Sequence, residues 1–567
     1  MSAGVLEPLE VGPHGESAAA DSDPGPLSGK RSIERWLDGH LDGLALAVVA
    51  AGFVIRLYEA TRSYLNPDEA LHYLLLNQAT VSEAYKFSLT NAHPPLIYLL
   101  VYFWHFLGRS ELMLRLPSVL AGTAFCWLNY LWIKKLFGKA AAGIGVILCT
   151  FSPAMIALSA ELRAYALLLF CIGGALYFLS RAFDEKEAER SARQMWYFPG
   201  FLCLAILSHY SAVFFALALG IYVLARIGDS ELPRKAVYAW AAGQAGALAV
   251  CAFLYVTHIA KIKSSLPVWA TLFDSSYFHW GSGNIFVFTR ASTLNIFLFL
   301  FGQRFVAEAI LFSYLCGMAY LFARDLTSHG GEASSRRSGI LLLMPFVAVW
   351  GASLAGIYPY AGSRHTAFVA PFAIAGASFL LAGVLRQKLW AGLLLAVLLM
   401  TVSNTYGKPS ETFMVKGSDD PKWMAAAMSQ IKQDVPPGSP IFVDVQSNLM
   451  LTYYLCGPGT IIPKDSYDKE YFRFECNGHS IISLHLWKLI EGSFPAQFKR
   501  MAQANALTPG DQVWVFQAGW GENLGVELPK RDAKFRCITP KVYGENISLF
   551  SVIVGPDYSP VAASPGC

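Results

Sequence analysis

The chain has 567 residues, of which 54% are hydrophobic, 14% aromatic and only 15% charged, with a formal net charge of +4. A soluble domain carries about 25% charged residues, so the composition excludes an ordinary soluble protein and points to one embedded in a bilayer. The basic residues are spread between apolar runs and form no single patch, which removes the electrostatic footprint a nucleic-acid partner would need.

Residues 1–43 are polar and rich in Gly, Pro and Ser, and are expected to form a disordered cytoplasmic tail; they do not read as a signal peptide. From Leu44 to Tyr406, apolar runs of roughly 17 to 25 residues recur, each long enough to cross a hydrocarbon core of about 30 Å. Basic residues fall in alternate connections: Lys30, Arg31 and Arg35; Lys134, Lys135 and Lys139; Arg181, Lys186, Arg190 and Arg193; Arg226, Arg234 and Lys235; Arg324, Arg336 and Arg337; Arg386 and Lys388. The bias of Lys and Arg toward the cytoplasmic side then predicts eleven spans, near 44–60, 113–133, 140–158, 164–182, 196–208, 210–225, 236–257, 305–323, 340–358, 366–385 and 389–406. The N-terminus is inside, and the residues beyond the last span are outside.

The run "HPPLIYLLVYFWHFLG" (His93 to Gly108) is too short for a span, and counting it as one would invert every later span; it reads as an outer-face juxtamembrane or re-entrant helix begun by Pro94 and Pro95. The outward loops become 59–112, 159–163, the apex at His209, 258–304 and 359–365. Loop 258–304, aromatic and mildly basic, has the composition of an amphipathic flap over a lipid or of a plain interfacial loop. Residues 407–567 alternate helical patterns such as "PKWMAAAMSQIKQ" with apolar strands such as "IFVDV" and "QVWVF", which predicts an extracytoplasmic α/β domain. It lacks a glycine-rich phosphate loop. Cys456, Cys476, Cys537 and Cys567 lie in this exported part, where one or two disulfides are expected with the pairing open.

That sidedness collects the notable polar residues on one surface: Asp68, Glu69, His72, His93, Glu161, Arg163, Tyr165, His209, Tyr210, Arg364 and His365. Each has a plainer reading alone: Asp68 as a helix cap, Arg163 and Arg364 as arginines snorkelling to headgroups, His209 as a satisfied core histidine. Together, carboxylates beside cations at a membrane surface suit a reaction on a lipid-linked anionic substrate. Arg and His would hold a lipid phosphate, and a carboxylate would take the proton of an attacking hydroxyl. The alternative is a lipid or solute transporter with a charged outer vestibule. Transporters place ionisable groups at mid-membrane on broken helices, and these spans are nearly free of them.

An ordered series of motifs resembles the GT-C integral-membrane glycosyltransferases: "NPDEALHY" (66–73), "HPPLIYLL" (93–100), "LRLPSVLAG" (114–122), "SPAMIALSAELRAYAL" (152–167), "LSHYSA" (207–212) and "SRHTAFVAPFAI" (363–374). The closest group looks like the bacterial relatives of dolichyl-phosphate-mannose protein mannosyltransferases, including the lipid A aminoarabinose transferase and the lipopolysaccharide-core galacturonosyltransferases. The resemblance covers about residues 44–406. It implies a polytopic helical membrane protein with a catalytic membrane domain, transferring one sugar from a polyprenyl-phosphate donor to a protein, lipid or glycan acceptor on the outer face of a bacterial inner membrane. It implies Asp68 as catalytic carboxylate with Glu69 beside it. His93, Arg163, Tyr165, His209, Tyr210, Arg364 and His365 would line the donor phosphate. His93 and His209 stand where relatives carry basic residues, which would make phosphate binding depend on pH. Glu161 stands where some relatives have Asp. The tandem Asp-Glu leaves room for a divalent metal, but the Asp-x-Asp of oligosaccharyltransferases is missing from the second loop, so a metal-independent, cofactor-free reaction is expected.

Overall fold

The computed structural model describes residues 26–228, 232–262, 274–281, 283–327, 333–385, 388–407, 419–461, 470–485, 489 and 493–563. Arg386, Cys567, residues 1–25 and residues 263–273 of the expected flap therefore lie outside the described residues.

The first helix, α1 (Pro26–Glu59), is longer than expected. Residues 26–43 are helical rather than part of a disordered tail, because Leu41 and its neighbour Ala45 one turn on are buried against the next helices. Two short helices, α2 (Pro67–Leu76) and α3 (Val81–Ser88), lead to α4 (Leu96–Trp104), which one further turn extends to Leu107. This is the expected juxtamembrane helix, with Phe103, Phe106 and Leu107 exposed.

Next, α5 (Glu111–Thr150) is two arms rather than one rod. Gly138 reverses it with φ 85°, a value that only glycine adopts without strain. The arms pack as a hairpin, with Cys126 Sγ 3.8 Å from Cys149 Sγ. A break at Ser152 turns the chain through 60° into α6 (Pro153–Ser159), and α7 (Tyr165–Asp184), α8 (Ala188–Ser208), α9 (Ala212–Gly228) and α10 (Arg234–Leu254) come after it. Helices Arg304–Thr327, Ala333–Leu354, Ala370–Val384 and Leu389–Tyr406 complete the bundle.

Among the described residues, seven helices are long and apolar enough to cross a membrane, or eight if the bent pair α5–α6 makes one span. The other segments expected as spans are the two arms of α5, the second of them broken at Ser152, the 21-residue α8 with its charged first turns, and the 17-residue α9. Side chains such as Tyr238, Leu248 and Leu217 are exposed on these apolar helices, as lipid-facing positions require.

Loop 258–304 departs from expectation by containing a 17-residue apolar helix, Ile285–Phe301. Thr293, midway along it, bonds Tyr360 at 2.7 Å, and Ser152 donates to Leu300 O at 2.5 Å near its end.

Ion pairs separate the two ends of the bundle. At one end Lys134 meets Asp42 at 2.5 Å, and Lys135 pairs with Asp184, and Lys235 with Glu189. At the other lie Glu69, Arg115, Arg163 and Arg364. Arg115 and Lys134 share one arm of α5, and at about 1.5 Å per residue stand nearly 30 Å apart, a membrane core's thickness.

Residues 419–563 form a three-layer α/β domain. Its seven strands, β1 (Pro440–Val443), β2 (Tyr471–Cys476), β3 (His479–Leu484), β4 (Gln512–Gln517), β5 (Lys541–Tyr543), β6 (Ile547–Val554) and β7 (Pro560–Ala562), take the order β2-β3-β1-β4-β6-β5, with β7 also on β6. Among the described residues, β1 runs parallel to its neighbours β3 (Ile441 opposite Ile481) and β4, and the other pairings are antiparallel. Helices Phe494–Ala504 and Leu524–Arg531 cover one face. Helices Pro421–Asp434 and Val445–Tyr454 cover the other, and share one apolar core with Tyr64, Leu65, Ile97 and Tyr98 of the membrane part. In the C-terminal domain, Cys456 and Cys476 are joined.

Candidate active site

The loop between α1 and α2 is built around a buried ion pair. Asn66 caps α2 by accepting the Glu69 amide at 3.0 Å, and Glu69 returns to accept the Asn66 amide at 3.0 Å. Pro67 at the first helical position presets the backbone. The Glu69 carboxylate also receives Arg115 Nε and Nη2, both at 2.7 Å, and the Leu162 amide at 2.7 Å. Arg115 spends its remaining donors on the carbonyls of Ala60, Ser63 and Tyr64, at 2.8, 2.7 and 3.1 Å. Both side chains are about 1% exposed. Four donors saturate Glu69, so it holds the loop instead of moving a proton. In the sequence Arg115 is visible only as part of "LRLP"; its signal is a charge inside an apolar run, which must find a partner.

Asp68, one position earlier on α2, faces the other way. Its Oδ2 lies 2.5 Å from Arg163 Nη1 and 2.7 Å from Arg364 Nη2. Burial alone would raise this carboxyl, but the two guanidiniums outweigh burial and hold it at about 2. The side chain remains 15% exposed, so the clamp is open to an entering group.

Four histidines line the same side as the guanidiniums. The centroid of His93 is 5.3 Å from His72 and 5.2 Å from His209, and His209 is 5.9 Å from His365. Tyr165 stands against this row, 5.0 Å from His209 and 6.1 Å from His365, with Arg163 and Arg364 5.7 and 5.9 Å above its ring. His72 Nδ1 donates to Asp68 O at 2.7 Å, which leaves its buried Nε2 as an acceptor with no partner among the described residues. His93 Nε2 accepts from Arg163 Nη2 at 3.2 Å. Burial and Arg163 depress His72 and His209 to about 3 and His93 well below its ordinary value, so these three are neutral.

Of the residues expected at a donor phosphate, His93, Arg163, Tyr165, His209, Arg364 and His365 gather here. Tyr210 does not. Its hydroxyl donates to His258 Nδ1 at 2.5 Å, and His258 in turn donates to Asn91 O at 2.6 Å. Two residues beyond the end of α8, Tyr210 has been turned away from its neighbour His209. Glu161 does face the site. It lines a cavity of about 610 Å³ together with Asn66 and Glu69. Burial and the neighbouring Glu69 carboxylate, against the pull of Arg364 and Arg163, raise it to about 8. Among the described residues, no cluster of three His, Cys, Asp or Glu side chains has the geometry to hold a metal ion.

The C-terminal domain reaches this loop directly. Tyr454 accepts the Leu65 amide at 2.7 Å and donates to Glu111, Asn77 Nδ2 donates to Thr460 O at 2.9 Å, and Tyr64 N donates to Asp419 O at 2.9 Å.

Residues 92–256 match the model of the family described as dolichyl-phosphate-mannose-protein mannosyltransferase. That stretch holds His93, Arg163, Tyr165 and His209, while Asp68 and Arg364 fall outside it. No curated protein matches the chain. The crystal structure of ArnT from Cupriavidus metallidurans in the apo state is similar over 90% of this chain and 98% of that one, with TM-score 0.52 and 14% identity. The structure of the same protein bound to undecaprenyl phosphate gives TM-score 0.50 and 13% identity over the same shares. The shared length takes in the membrane helices and the C-terminal sheet alike, and the chain has the fold of ArnT, the GT-C fold expected from the sequence.

Proposed function

We propose that the chain is a glycosyltransferase that moves one sugar from a polyprenyl-phosphate donor to an acceptor hydroxyl on the non-cytoplasmic face of a bacterial inner membrane. The observation that carries this reading is the clamp of Arg163 and Arg364 on Asp68, open at one end of an apolar bundle and backed by neutral histidines. The family match over residues 92–256 and the undecaprenyl phosphate in the ArnT structure support it.

The donor phosphate takes up the two guanidiniums, whose planar forks suit a tetrahedral oxyanion. Sharing those cations relieves their hold on Asp68, so its affinity for a proton rises. Asp68 accepts the proton of the acceptor hydroxyl as that oxygen bonds to the anomeric carbon. The carbon–oxygen bond to phosphate breaks on the opposite side, and polyprenyl phosphate leaves as an anion stabilised by Arg163 and Arg364. Glu69 and Arg115 hold the loop in place throughout. A transport reading finds less support, because the charged cluster sits at one end of the bundle and alternating access needs a site reachable from both.

The test is purified protein in nanodiscs with a panel of radiolabelled polyprenyl-phosphate sugars and an envelope extract. Wild type should consume one donor, and Asp68→Asn should bind that donor without transferring its sugar. Binding of no donor, or unchanged transfer by the variant, overturns the assignment.

A further inference from the structure

The protons of the histidine row follow from what each ring nitrogen touches, because a backbone amide or a guanidinium can only donate and a carbonyl can only accept. His209 Nδ1 accepts the Ser211 amide at 3.2 Å, so this nitrogen carries a lone pair and the ring proton is on Nε2. His93 Nε2 accepts from Arg163 Nη2 at 3.2 Å, so its proton is on Nδ1. A ring that accepts at one nitrogen is neutral. Neither is an imidazolium, and each keeps one N–H with no partner among the described residues. His72 has the opposite polarity. Its Nδ1 must donate, because the atom it meets at 2.7 Å is the Asp68 carbonyl oxygen. Burial and Arg163 keep this ring neutral, which leaves a lone pair on Nε2, buried and without a partner among the described residues. The ring is 2% exposed and stacks on Tyr98, with centroids 5.0 Å apart and planes 14° apart. An acceptor so placed costs free energy until a ligand brings it a donor.

Resting on the transferase reading above, we infer that His72 determines which sugar the donor carries: its Nε2 accepts a hydrogen bond from a hydroxyl or amine of the transferred sugar, while the N–H groups of His93 and His209 go to phosphate oxygens. A phosphate oxygen has no hydrogen to give, and its lone pairs repel the one on Nε2, so His72 does not serve the phosphate. The phosphate belongs with Arg163 and Arg364, and His93 bonds Arg163 directly. His72 is the next ring along, its centroid 5.3 Å from that of His93, a spacing that one sugar ring spans. The order along the row is a lone pair at His72 and then an N–H at His93 and at His209. A glycosyl phosphate laid along it matches that order, with its hydroxyl-bearing ring at His72 and its phosphate at the other two. A donor whose sugar lacks the hydroxyl or amine at that position leaves Nε2 unsatisfied and binds less tightly.

The experiment uses full-length protein in nanodiscs and filter retention of two labelled ligands, the polyprenyl-phosphate sugar that it consumes and sugar-free polyprenyl phosphate. His72→Phe keeps an aromatic ring against Tyr98 and removes both nitrogens. It should weaken the sugar-bearing donor about tenfold or more and leave polyprenyl phosphate within about twofold of wild type, a retained binding that certifies the fold. Equal weakening of both ligands by a variant that stays monodisperse overturns the inference, because the ring then acts only by holding Asp68. Unchanged binding of both overturns it too. A second measurement needs no variant and decides the matter where His72→Phe does not fold. Donor analogues with one sugar hydroxyl or amine at a time replaced by fluorine, which cannot donate, are bound to wild type. One position should lose about tenfold in affinity, and equal binding across the series overturns the inference. Failure of the wild type to bind either polyprenyl ligand is a different result and removes the transferase reading itself.

Discussion

Replacing Asp68 by Asn removes a negative charge at the point where two guanidiniums converge, with Arg163 Nη1 and Arg364 Nη2 at 2.5 and 2.7 Å from one carboxylate oxygen. That carboxylate occupies the cations a donor phosphate would use. A phosphate drawn to the same guanidiniums sits roughly 5 Å from the carboxylate, and two unit charges at that distance in an effective dielectric of about 20 repel by about 3 kcal/mol. The amide of Asn keeps the shape and loses the repulsion, while the freed guanidiniums give part of the gain back by resolvating. A net gain of about 1–2 kcal/mol is expected, which is about 5- to 30-fold tighter donor binding. Transfer should fall by about 10²–10⁴, the usual contribution of a general base. Filter binding of a labelled polyprenyl-phosphate sugar to both proteins, and then single-turnover transfer, separates the two effects. Weaker donor binding by Asp68→Asn would refute the competition for Arg163 and Arg364.

Glu69→Ala strands the buried Arg115 charge and should cost about 3–5 kcal/mol, read as lost hydrogen-exchange protection across residues 60–70. Glu161 holds its proton up to about 8; a carboxyl raised in the folded state is a penalty absent below its ordinary range near 4.5 and complete above pH 8. Glu161→Gln should therefore melt higher than wild type at pH 9, by about 2–3 kcal/mol after allowance for its partial exposure, with the gap closing by pH 5. The Cys456–Cys476 bridge closes a separation of 20 residues, so Cys456→Ser should lower the stability of the C-terminal domain by about 3 kcal/mol in denaturant melts. Tyr454→Phe leaves the Leu65 amide without its acceptor at 2.7 Å and should cost about 1–3 kcal/mol, seen as a slower transfer rate at unchanged donor KM.

The gathering of Asp68, His93, Arg163, His209, Arg364 and His365 is legible in the sequence because charged residues are rare in an apolar chain, and the Lys and Arg bias assigns each to a face. Where local geometry decides, the sequence says less. Tyr210 comes directly after His209, yet the turn between α8 and α9 sends it to His258. Residues 26–43 look like a tail by their Gly and charge content. The apolar positions Ile33, Trp36, Leu37 and Leu41 nevertheless recur at helical spacing, and Leu41 is buried. The helix Ile285–Phe301 is hidden inside a loop because its apolar run fits neither a full span nor a strand. Arg115 is hidden inside a motif, since nothing local reveals that a buried arginine on α5 is to meet a glutamate 46 positions earlier.

The adjacency of Asp68 and Glu69 has its explanation in the helix they begin. Successive residues on a helix point about 100° apart, so neighbouring acids at its first turn face different surroundings. At the third position, the capping box draws Glu69 back toward the Asn66 amide, where its longer side chain also meets both arms of Arg115 and the Leu162 amide. That carboxylate is satisfied, and its burial is tolerable because every lone pair has a donor. Asp68, shorter and one step round the helix, meets only cations that belong to other elements and that an anionic ligand can take from it. The saturated acid fixes the register of the loop, and that register sets Asp68 between Arg163 and Arg364. Rigidity in one carboxylate thus fixes the place of the next: a loop free to shift by an ångström would carry Asp68 out of reach of Arg163 and Arg364.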